Sequence, residues 1–218
     1  MGAEVKQAVL FGAMPGEDWA FLKDYLEERF LVICADGGMK NARRAGLEPD
    51  LLVGDWDSGG APLEGVPTVS LPAEKDMTDL QAAVDLALGR GCDRLLLCGC
   101  TGGRMDHTAS NLVLLEWIAD RGAEALILDS GNEVRFHPGG TLLLPNVPAY
   151  RYLSIIPLDR TIEGVTLRGV KYPLTDALLT RGDTLSVSNE PVGEVSEISI
   201  ASGRVLVVRS ERLSTGPI

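Results

Sequence analysis

Two aspartates, Asp55 and Asp57, follow a short apolar run in the sequence LLVGDWDS, residues 51–58. On an extended segment, residues two positions apart point to the same side, so these carboxylates would repel each other unless they shared a cation. Magnesium accepts one or two carboxylates together with phosphate oxygens and water, which makes a Mg²⁺ site one interpretation. A turn in which Asp and Ser bond their own backbone is the other.

A second acidic stretch, KDMTD, contains Asp76 and Asp79 with Lys75 beside them. Thr78 is a good N-cap for a helix predicted from about Thr78 to Leu88. Acidic residues in a first helical turn interact favourably with the helix dipole, so a structural role is one interpretation. A single cap requires neither Asp76 nor Lys75, however. We therefore favour a functional role for this stretch.

The stretch TGGRMDH combines two glycines with an arginine, between a predicted strand and a helix predicted from about Thr108 to Asp120. Gly102 and Gly103 would let the backbone approach an anion closely, and the helix N-terminus would offer free N–H groups. Arg104 would add a fork of donors for phosphate. The spacing is not that of a P-loop, so ordinary P-loop chemistry is not indicated. A tight turn with Asp106 as N-cap, and a packed His107, are the structural alternatives.

Two further polar groups end predicted strands. Asp36 and Gly37 stand in the sequence ADGG after the apolar run FLVIC. Ser188 and Asn189 stand in VSNE near the C-terminus. The side chains of Ser188 and Asn189 can donate and accept in a defined pattern, which suits a polar heterocycle. From these residues alone, however, a solvated turn is the preferred interpretation.

The elements that position these groups fall into two patterns. Residues 1–130 alternate short apolar runs with helical patterns, including an amphipathic helix over residues 17–30. Runs such as LVIC and LLLC are continuously apolar, as expected for a parallel sheet that helices cover on both faces. Ligands bind such sheets at the carboxyl ends of the strands, so the four polar stretches of this half are expected to converge on one edge.

Residues 131–218 lose the helical period and contain short apolar runs split by Gly, Pro, Asp and Asn. This pattern predicts antiparallel strands in a sandwich or barrel, with TLSVSNE, residues 184–190, among the strands. The predicted fold class is therefore α/β, with an N-terminal parallel-sheet α/β domain followed by a C-terminal antiparallel β-sandwich.

Composition limits the partners and the compartment. The chain has 20 Lys and Arg against 31 Asp and Glu, a formal net charge of -11, which disfavours nucleic-acid binding. The sequence has neither a signal-peptide pattern nor an apolar run approaching the about 20 residues of a membrane helix, so we expect a cytoplasmic protein. The four cysteines are expected to be reduced core thiols: Cys34, Cys92, Cys98 and Cys100.

The ordered motifs ADGG, PDLLVGDWDS, KDMTDLQ, GCTGGRMDH-x-x-x-N and VSNE together resemble the thiamine pyrophosphokinase family. The first four span residues 35–111, and KYPL, residues 171–174, extends the resemblance into the second half. The resemblance implies a nucleotide-binding catalytic domain over residues 1–130, a thiamine-binding sandwich over residues 131–218, and a homodimer with sites between subunits. It also implies transfer of a pyrophosphoryl group from ATP to the hydroxyl of thiamine, which gives thiamine diphosphate and AMP.

Carried onto this sequence, the resemblance implies roles for individual residues. The implied magnesium site comprises Asp55, Asp57, Asp76 and Asp79. The implied catalytic residues are Asp79, which would orient or deprotonate the thiamine hydroxyl, Asp76 and Arg104. The implied nucleotide contacts are Asp36, Gly37, Lys75, Gly102, Gly103, Arg104, Asp106 and His107. Ser188 and Asn189 would contact thiamine, but the aromatic residue that family members often place after this pair is replaced here by the sequence EPV.

Other functions share these features. A metal-dependent phosphohydrolase, or a pyrophosphokinase acting on another alcohol, would also use acid-rich loops at strand ends. A non-catalytic thiamine- or nucleotide-sensing module would bind ligand without turnover. An eroded acidic site would indicate such a module, whereas all four acidic residues of the implied magnesium site are present in this sequence.

Overall fold

The computed structural model describes residues 6–16, 18–55, 64–72, 74 and 76–212. The chain divides into two compact units, Met1–Ser130 and Gly131–Ile218.

The first unit contains a parallel sheet with α-helices between its strands. In the described residues its strands are β1 Gln7–Phe11, β2 Phe30–Ala35, β3 Leu51–Gly54, β4 Thr68–Ser70, β5 Arg94–Cys98 and β6 Glu124–Leu128. Its α-helices are α1 Met39–Arg44, α2 Asp79–Gly89 and α3 Met105–Ala119. The strands lie in the order β4-β3-β2-β1-β5-β6, and every pair of neighbours is parallel.

This strand order reverses beside β1, which pairs with β2 on one side and β5 on the other. Doubly wound sheets bind their ligands in the crevice at such a reversal, beyond the carboxyl ends of the strands. Strand β1 is buried along its whole length, as are the last four residues of β5. Both faces of these strands are covered, so apolar residues are favoured at consecutive positions along them.

The prediction of an amphipathic α-helix over residues 17–30 is wrong. The described part of this segment instead contains a short 3-10 helix, Ala20–Asp24. The buried side chain of Gln7 binds the backbone just beyond it: Nε2 donates to the Tyr25 carbonyl at 2.9 Å, and Oε1 accepts from the Glu27 amide at 2.9 Å. These side-chain bonds satisfy backbone groups that a continuing helix would otherwise use.

The second unit is built from antiparallel strands. They are β7 Glu133–His137, β8 Gly140–Pro145, β9 Tyr150–Pro157, β10 Thr161–Arg168, β11 Leu174–Thr180, β12 Val195–Ile200 and β13 Val205–Arg212. Strand β13 pairs with β7 and β9, while β11, β10, β12 and β8 form a four-stranded sheet in that order. Buried side chains from both sheets, including Ile155, Ile162, Ile198 and Val207, share one apolar cluster. The predicted α/β fold class with a following antiparallel sandwich is confirmed.

The strand predicted at residues 184–190 is wrong. Val187 N–H donates to the Thr184 carbonyl at 3.1 Å, which forms a turn, and Ser188 adopts φ 59°, a left-handed conformation that does not continue a strand. The strand of this region is instead β11, whose sequence LTDALLT lacks a strong β-forming composition.

Candidate active site

A cleft of about 330 Å³ lies at the carboxyl edge of the parallel sheet in the first unit. Segments that follow β1, β2 and β5 line it, together with the first residues of α2 and α3. Its polar lining side chains are Asp36, Thr78, Asp79, Arg104, His107 and Asn111. The cleft is therefore situated where the reversal of strand order predicts a ligand site.

The segments after β1 and β5 are bonded to each other beneath the cleft. Gly12 N–H donates to the Cys98 carbonyl at 2.8 Å, and Met14 N–H donates to the Gly99 carbonyl at 2.9 Å. A Cβ at Gly12 would lie 2.6 Å from the Gly99 oxygen, so a side chain there would separate the two segments. Glycine at position 12 is thus required by this close backbone approach.

Asp36 begins the segment after β2 and lines the cleft with a backbone φ of 48°. Positive φ is uncommon outside glycine, and such strain is concentrated at functional sites. The next residue, Gly37, packs against Ala13. Asp55 directly follows Gly54, where a Cβ would lie 3.4 Å from the Asp36 Cα, so the ends of β2 and β3 are adjacent.

Asp79 is the first residue of α2 and lines the cleft, and its Oδ1 is buried. The Thr78 hydroxyl accepts a hydrogen bond from the Gln81 amide at 3.2 Å, which confirms the predicted N-cap. Asp76 is exposed and is not among the residues that line the cleft. The two acidic residues of the KDMTD stretch are therefore not equivalent.

The glycine loop after β5 is held by side chains of α3. Gly102 N–H donates to the Thr108 hydroxyl at 3.1 Å, and the buried Asn111 Nδ2 donates to the Cys100 carbonyl at 2.7 Å. Gly102 and Gly103 have φ of 89° and 61°, which favours glycine at both positions. Helix α3 begins at Met105, three residues before the predicted start at Thr108, so Asp106 and His107 lie in its first turn.

Arg104 and Asp106 form an ion pair at the mouth of this loop, with Arg104 Nε 3.1 Å from Asp106 Oδ1. The hydrogen bond from Arg104 lowers the pKa of Asp106 to about 2, and the same bond raises the pKa of Arg104. The suggestion that Asp106 caps the helix is wrong, because the N-cap residue is Arg104 and Asp106 lies inside the helix. Arg104 lines the cleft, whereas Asp106 does not and instead orients Arg104.

The predicted thiamine contacts lie in the second unit. Asn189 is buried, with its Nδ2 donating to the Tyr172 carbonyl at 2.7 Å and its Oδ1 accepting from the Tyr172 amide at 3.0 Å. Ser188 is exposed, and its own amide donates to the Ser154 hydroxyl at 2.9 Å. The Asn189 amide thus holds the turn at Tyr172, which leaves Ser188 as the exposed member of the pair.

The structure brings together many of the residues singled out from the sequence. Asp36, Asp79, Gly102, Arg104 and His107 line one cleft, and Gly37 and Gly103 flank it. Asp57 and Lys75 lie outside the described residues.

Sequence inspection missed Asn41, a buried helical residue that bonds the cleft segment after β1. Nothing in its sequence neighbourhood marks it, because its partners are backbone groups about 30 positions away.

The cysteines are free and buried, as expected. Burial raises the pKa of Cys34 and Cys100 to about 12. Cys100 lines the cleft but stays a thiol at neutral pH, which argues against a nucleophilic role because the thiolate is the reactive form.

No group of three or more His, Cys, Asp or Glu within the described ranges is arranged to hold a metal ion. No helix of that part of the chain is both long and apolar enough to cross a membrane.

A doubly wound sheet with a polar cleft at its reversal point, followed by an antiparallel sandwich, defines a two-unit α/β ligand-binding protein. Residues 22–127 match the thiamin pyrophosphokinase catalytic domain, and residues 141–205 match the thiamin pyrophosphokinase vitamin B1 binding domain. The chain belongs to the thiamine pyrophosphokinase family, a family of enzymes.

Individual relatives agree with this assignment. The thiamine pyrophosphokinase of Bacillus subtilis is 34% identical over 199 residues, which cover 87% of this chain and 91% of the relative. A crystal structure of thiamine pyrophosphokinase from Bacillus subtilis superposes with a TM-score of 0.86 at 30% identity, covering 95% of this chain and 100% of that one. The crystal structure from Geobacillus thermodenitrificans gives 0.83 at 33% identity, covering 95% and 99%.

Proposed function

We propose that this protein transfers the pyrophosphoryl group of ATP to the hydroxyl of thiamine, producing thiamine diphosphate and AMP. Membership of the family over both units supports this activity. The observation that carries the proposal is the single cleft that Asp36, Asp79 and Arg104 share at the reversal point of the sheet. The guanidinium of Arg104 and the two carboxylates in one cleft suit a phosphorylated ligand that must be both bound and activated.

Arg104 and the start of α3 are the groups of this chain that would bind phosphate. A guanidinium offers a fork of donors to phosphate oxygens, and Asp106 holds it beside the cleft. The N-terminus of the 15-residue α3 adds backbone N–H groups and the positive end of its dipole. When AMP leaves, negative charge builds on the α–β bridging oxygen, and a well-placed cationic group there is worth about 10²–10³ in turnover.

Asp79 is the proposed group that orients or deprotonates the thiamine hydroxyl. It is the first residue of α2 and lines the same cleft as Arg104. General-base assistance of this kind contributes about 10²–10⁴ in rate, and correct positioning of the two substrates contributes more.

We propose Mg²⁺ as the cofactor. Magnesium usually binds through one or two carboxylates plus substrate phosphates rather than in an all-protein cage. The two carboxylates of the cleft, Asp36 and Asp79, fit that donor set. Asp55 directly follows Gly54, which lies next to Asp36. When bound, the ion would offset the charge of the triphosphate. Asp57 and Asp76 stay predictions as further ligands.

We further propose that the second unit binds thiamine, with Ser188 as an exposed polar contact, and that the protein acts as a homodimer. Several large apolar side chains of this unit are exposed and are available for a contact with another subunit. They include Leu143, Leu178, Leu185 and Val192.

Product analysis tests the proposed function against its alternatives. Purified protein with Mg²⁺, ATP and thiamine is expected to form thiamine diphosphate and AMP in equal amounts, and omission of thiamine is expected to stop AMP formation. ADP or free phosphate as the product would instead indicate a phosphohydrolase or another kinase. Tight binding of both ligands without turnover would indicate a sensing module.

A further inference from the structure

Asn41, in α1, has 2% exposure, and the hydrogen bonds of its side chain go to a single short segment, residues 12–16. Its Nδ2 donates to the Gly12 carbonyl at 2.8 Å and to the Met14 carbonyl at 2.7 Å. Its Oδ1 accepts from the Gly16 amide at 3.3 Å. One side-chain amide thus satisfies three backbone groups of the segment that follows β1.

The same segment is bonded on its other side to the end of β5. Gly12 and Met14 donate their N–H groups to Cys98 and Gly99, and they accept from Asn41 through their carbonyls. Residues 12–14 line the cleft. Their position is therefore fixed between β5 and the Asn41 side chain, and displacement of either would change the shape of the cleft.

An asparagine meets these requirements better than other residues. An amide offers two N–H donors and one acceptor oxygen, which match two carbonyls and one N–H. An aspartate could not donate to either carbonyl, and a leucine of similar size would leave the buried Gly12 carbonyl and the part-buried Met14 carbonyl without this partner. Asparagine is not favoured in helices on its own account, so its place in α1 is explained by the bonds to residues 12–16.

We propose that Asn41 is a positioning residue for nucleotide binding. It holds the backbone of residues 12–14 in the place where the nucleotide contacts it, without touching the nucleotide itself. Its loss weakens nucleotide binding and leaves the Michaelis constant for thiamine nearly unchanged. The inference rests on the proposed function for the identity of the ligand.

The chain offers a matched control in Gln7, at the start of β1. Gln7 has 0% exposure, and its amide likewise joins two backbone groups, those of Tyr25 and Glu27, at the opposite end of the strand from the cleft. The experiment compares Asn41→Leu with Gln7→Leu. It measures ATP affinity by titration without thiamine, the KM values for ATP and thiamine, and the unfolding temperature.

We expect Asn41→Leu to weaken ATP binding by at least about 10-fold, because a displaced segment misplaces the ligand contacts. Gln7→Leu should change ATP affinity by less than about twofold at a comparable loss of unfolding temperature. In both variants the KM for thiamine should stay within about twofold of the wild-type value. Should Asn41→Leu fail to fold, the smaller and polar Asn41→Ser is compared with Gln7→Leu in the same way.

Equal ATP affinity in the Asn41 and Gln7 variants would overturn the positioning role. If the Asn41 amide only stabilised the fold, its loss would change ATP affinity no more than the loss of the Gln7 amide does. Wild-type protein that bound no ATP would instead contradict the proposed function. The two failures are therefore distinguishable in one set of titrations.

Discussion

Single residues in the cleft divide into those that line it and those that hold the lining in place. Asp36, Asp79 and Arg104 line it, whereas Asn41 and Asp106 act through hydrogen bonds to the lining segments. The lining residues were predictable, because carboxylates, glycines and an arginine at strand ends have recognisable chemistry. The holding role of Asn41 was not, because it depends on backbone partners that are distant in the sequence.

Asp79→Asn is expected to lower turnover by at least about 10² while the fold stays intact, because an amide can neither accept the hydroxyl proton nor carry charge. The measurement is kcat for thiamine diphosphate formation, with the unfolding temperature as the check on folding. Asp85→Asn is the matched control, since Asp85 lies on the same helix and is exposed. Turnover near the wild-type value in Asp79→Asn would remove Asp79 from the mechanism.

His137 makes the stability of the second unit depend on pH. The residue is buried in β7, with Nε2 3.4 Å from the Gly140 carbonyl, and burial lowers its pKa from the ordinary value of 6.5. Between this lowered pKa and 6.5 the unfolded chain binds more protons than the folded one. Stability therefore falls as pH falls through this window, by at most about 1.4 kcal/mol per pH unit from this group.

Denaturant unfolding between about pH 7.5 and about pH 5.5 checks this expectation, because the window lies below the unfolded pKa. His137→Gln should flatten the dependence that the wild-type protein shows. An identical dependence in the variant, or wild-type stability that rises on acidification, would contradict the role given to His137.

At the scale of elements, sequence patterns predicted capped helices better than irregular segments. The helix predicted from about Thr78 to Leu88 is observed as Asp79–Gly89, because its cap and its apolar spacing agree. The prediction of a helix over residues 17–30 is wrong, because the Gln7 side chain bonds backbone groups of this segment. Such capture depends on tertiary contacts and has no local sequence pattern.

The turn at Tyr172 depends on Asn189 for its hydrogen bonds. Asn189→Ala is expected to destabilise the protein by about 1–3 kcal/mol, because both backbone polar groups of Tyr172 lose their partner. The control is Ser188→Ala, which removes an exposed hydroxyl and should cost less than about 0.5 kcal/mol. The free energy of unfolding measures both. Equal effects from the two substitutions would contradict the structural role of Asn189.

At the scale of the whole molecule, the order of apolar runs predicted a parallel sheet followed by an antiparallel sandwich, and both are observed. Continuous apolar strands and loss of the helical period after residue 130 are sufficient for that prediction. The distinction between Asp76, which is exposed, and Asp79, which lines the cleft, required coordinates. Asp76 and Asp79 are only three positions apart, and the sequence around them does not show which one lines the cleft.

The acidity of the molecule leads to a prediction about metal dependence. Under the proposed function, a chain with a formal net charge of -11 binds a highly anionic nucleotide beside the carboxylates of Asp36 and Asp79. Removal of Mg²⁺ by a chelator is therefore expected to abolish AMP formation, and added Mg²⁺ should restore it. Unchanged activity in excess chelator would show that these carboxylates have another purpose.

The proposed reaction transfers the β-phosphorus of ATP to thiamine, with AMP as the leaving group. Its most direct test follows isotopic label from ATP labelled separately at the α- and β-phosphorus, in the presence of Mg²⁺ and thiamine. We expect α-label in AMP and β-label in thiamine diphosphate. Recovery of the β-label in ADP, or of no label in a thiamine ester, would contradict it.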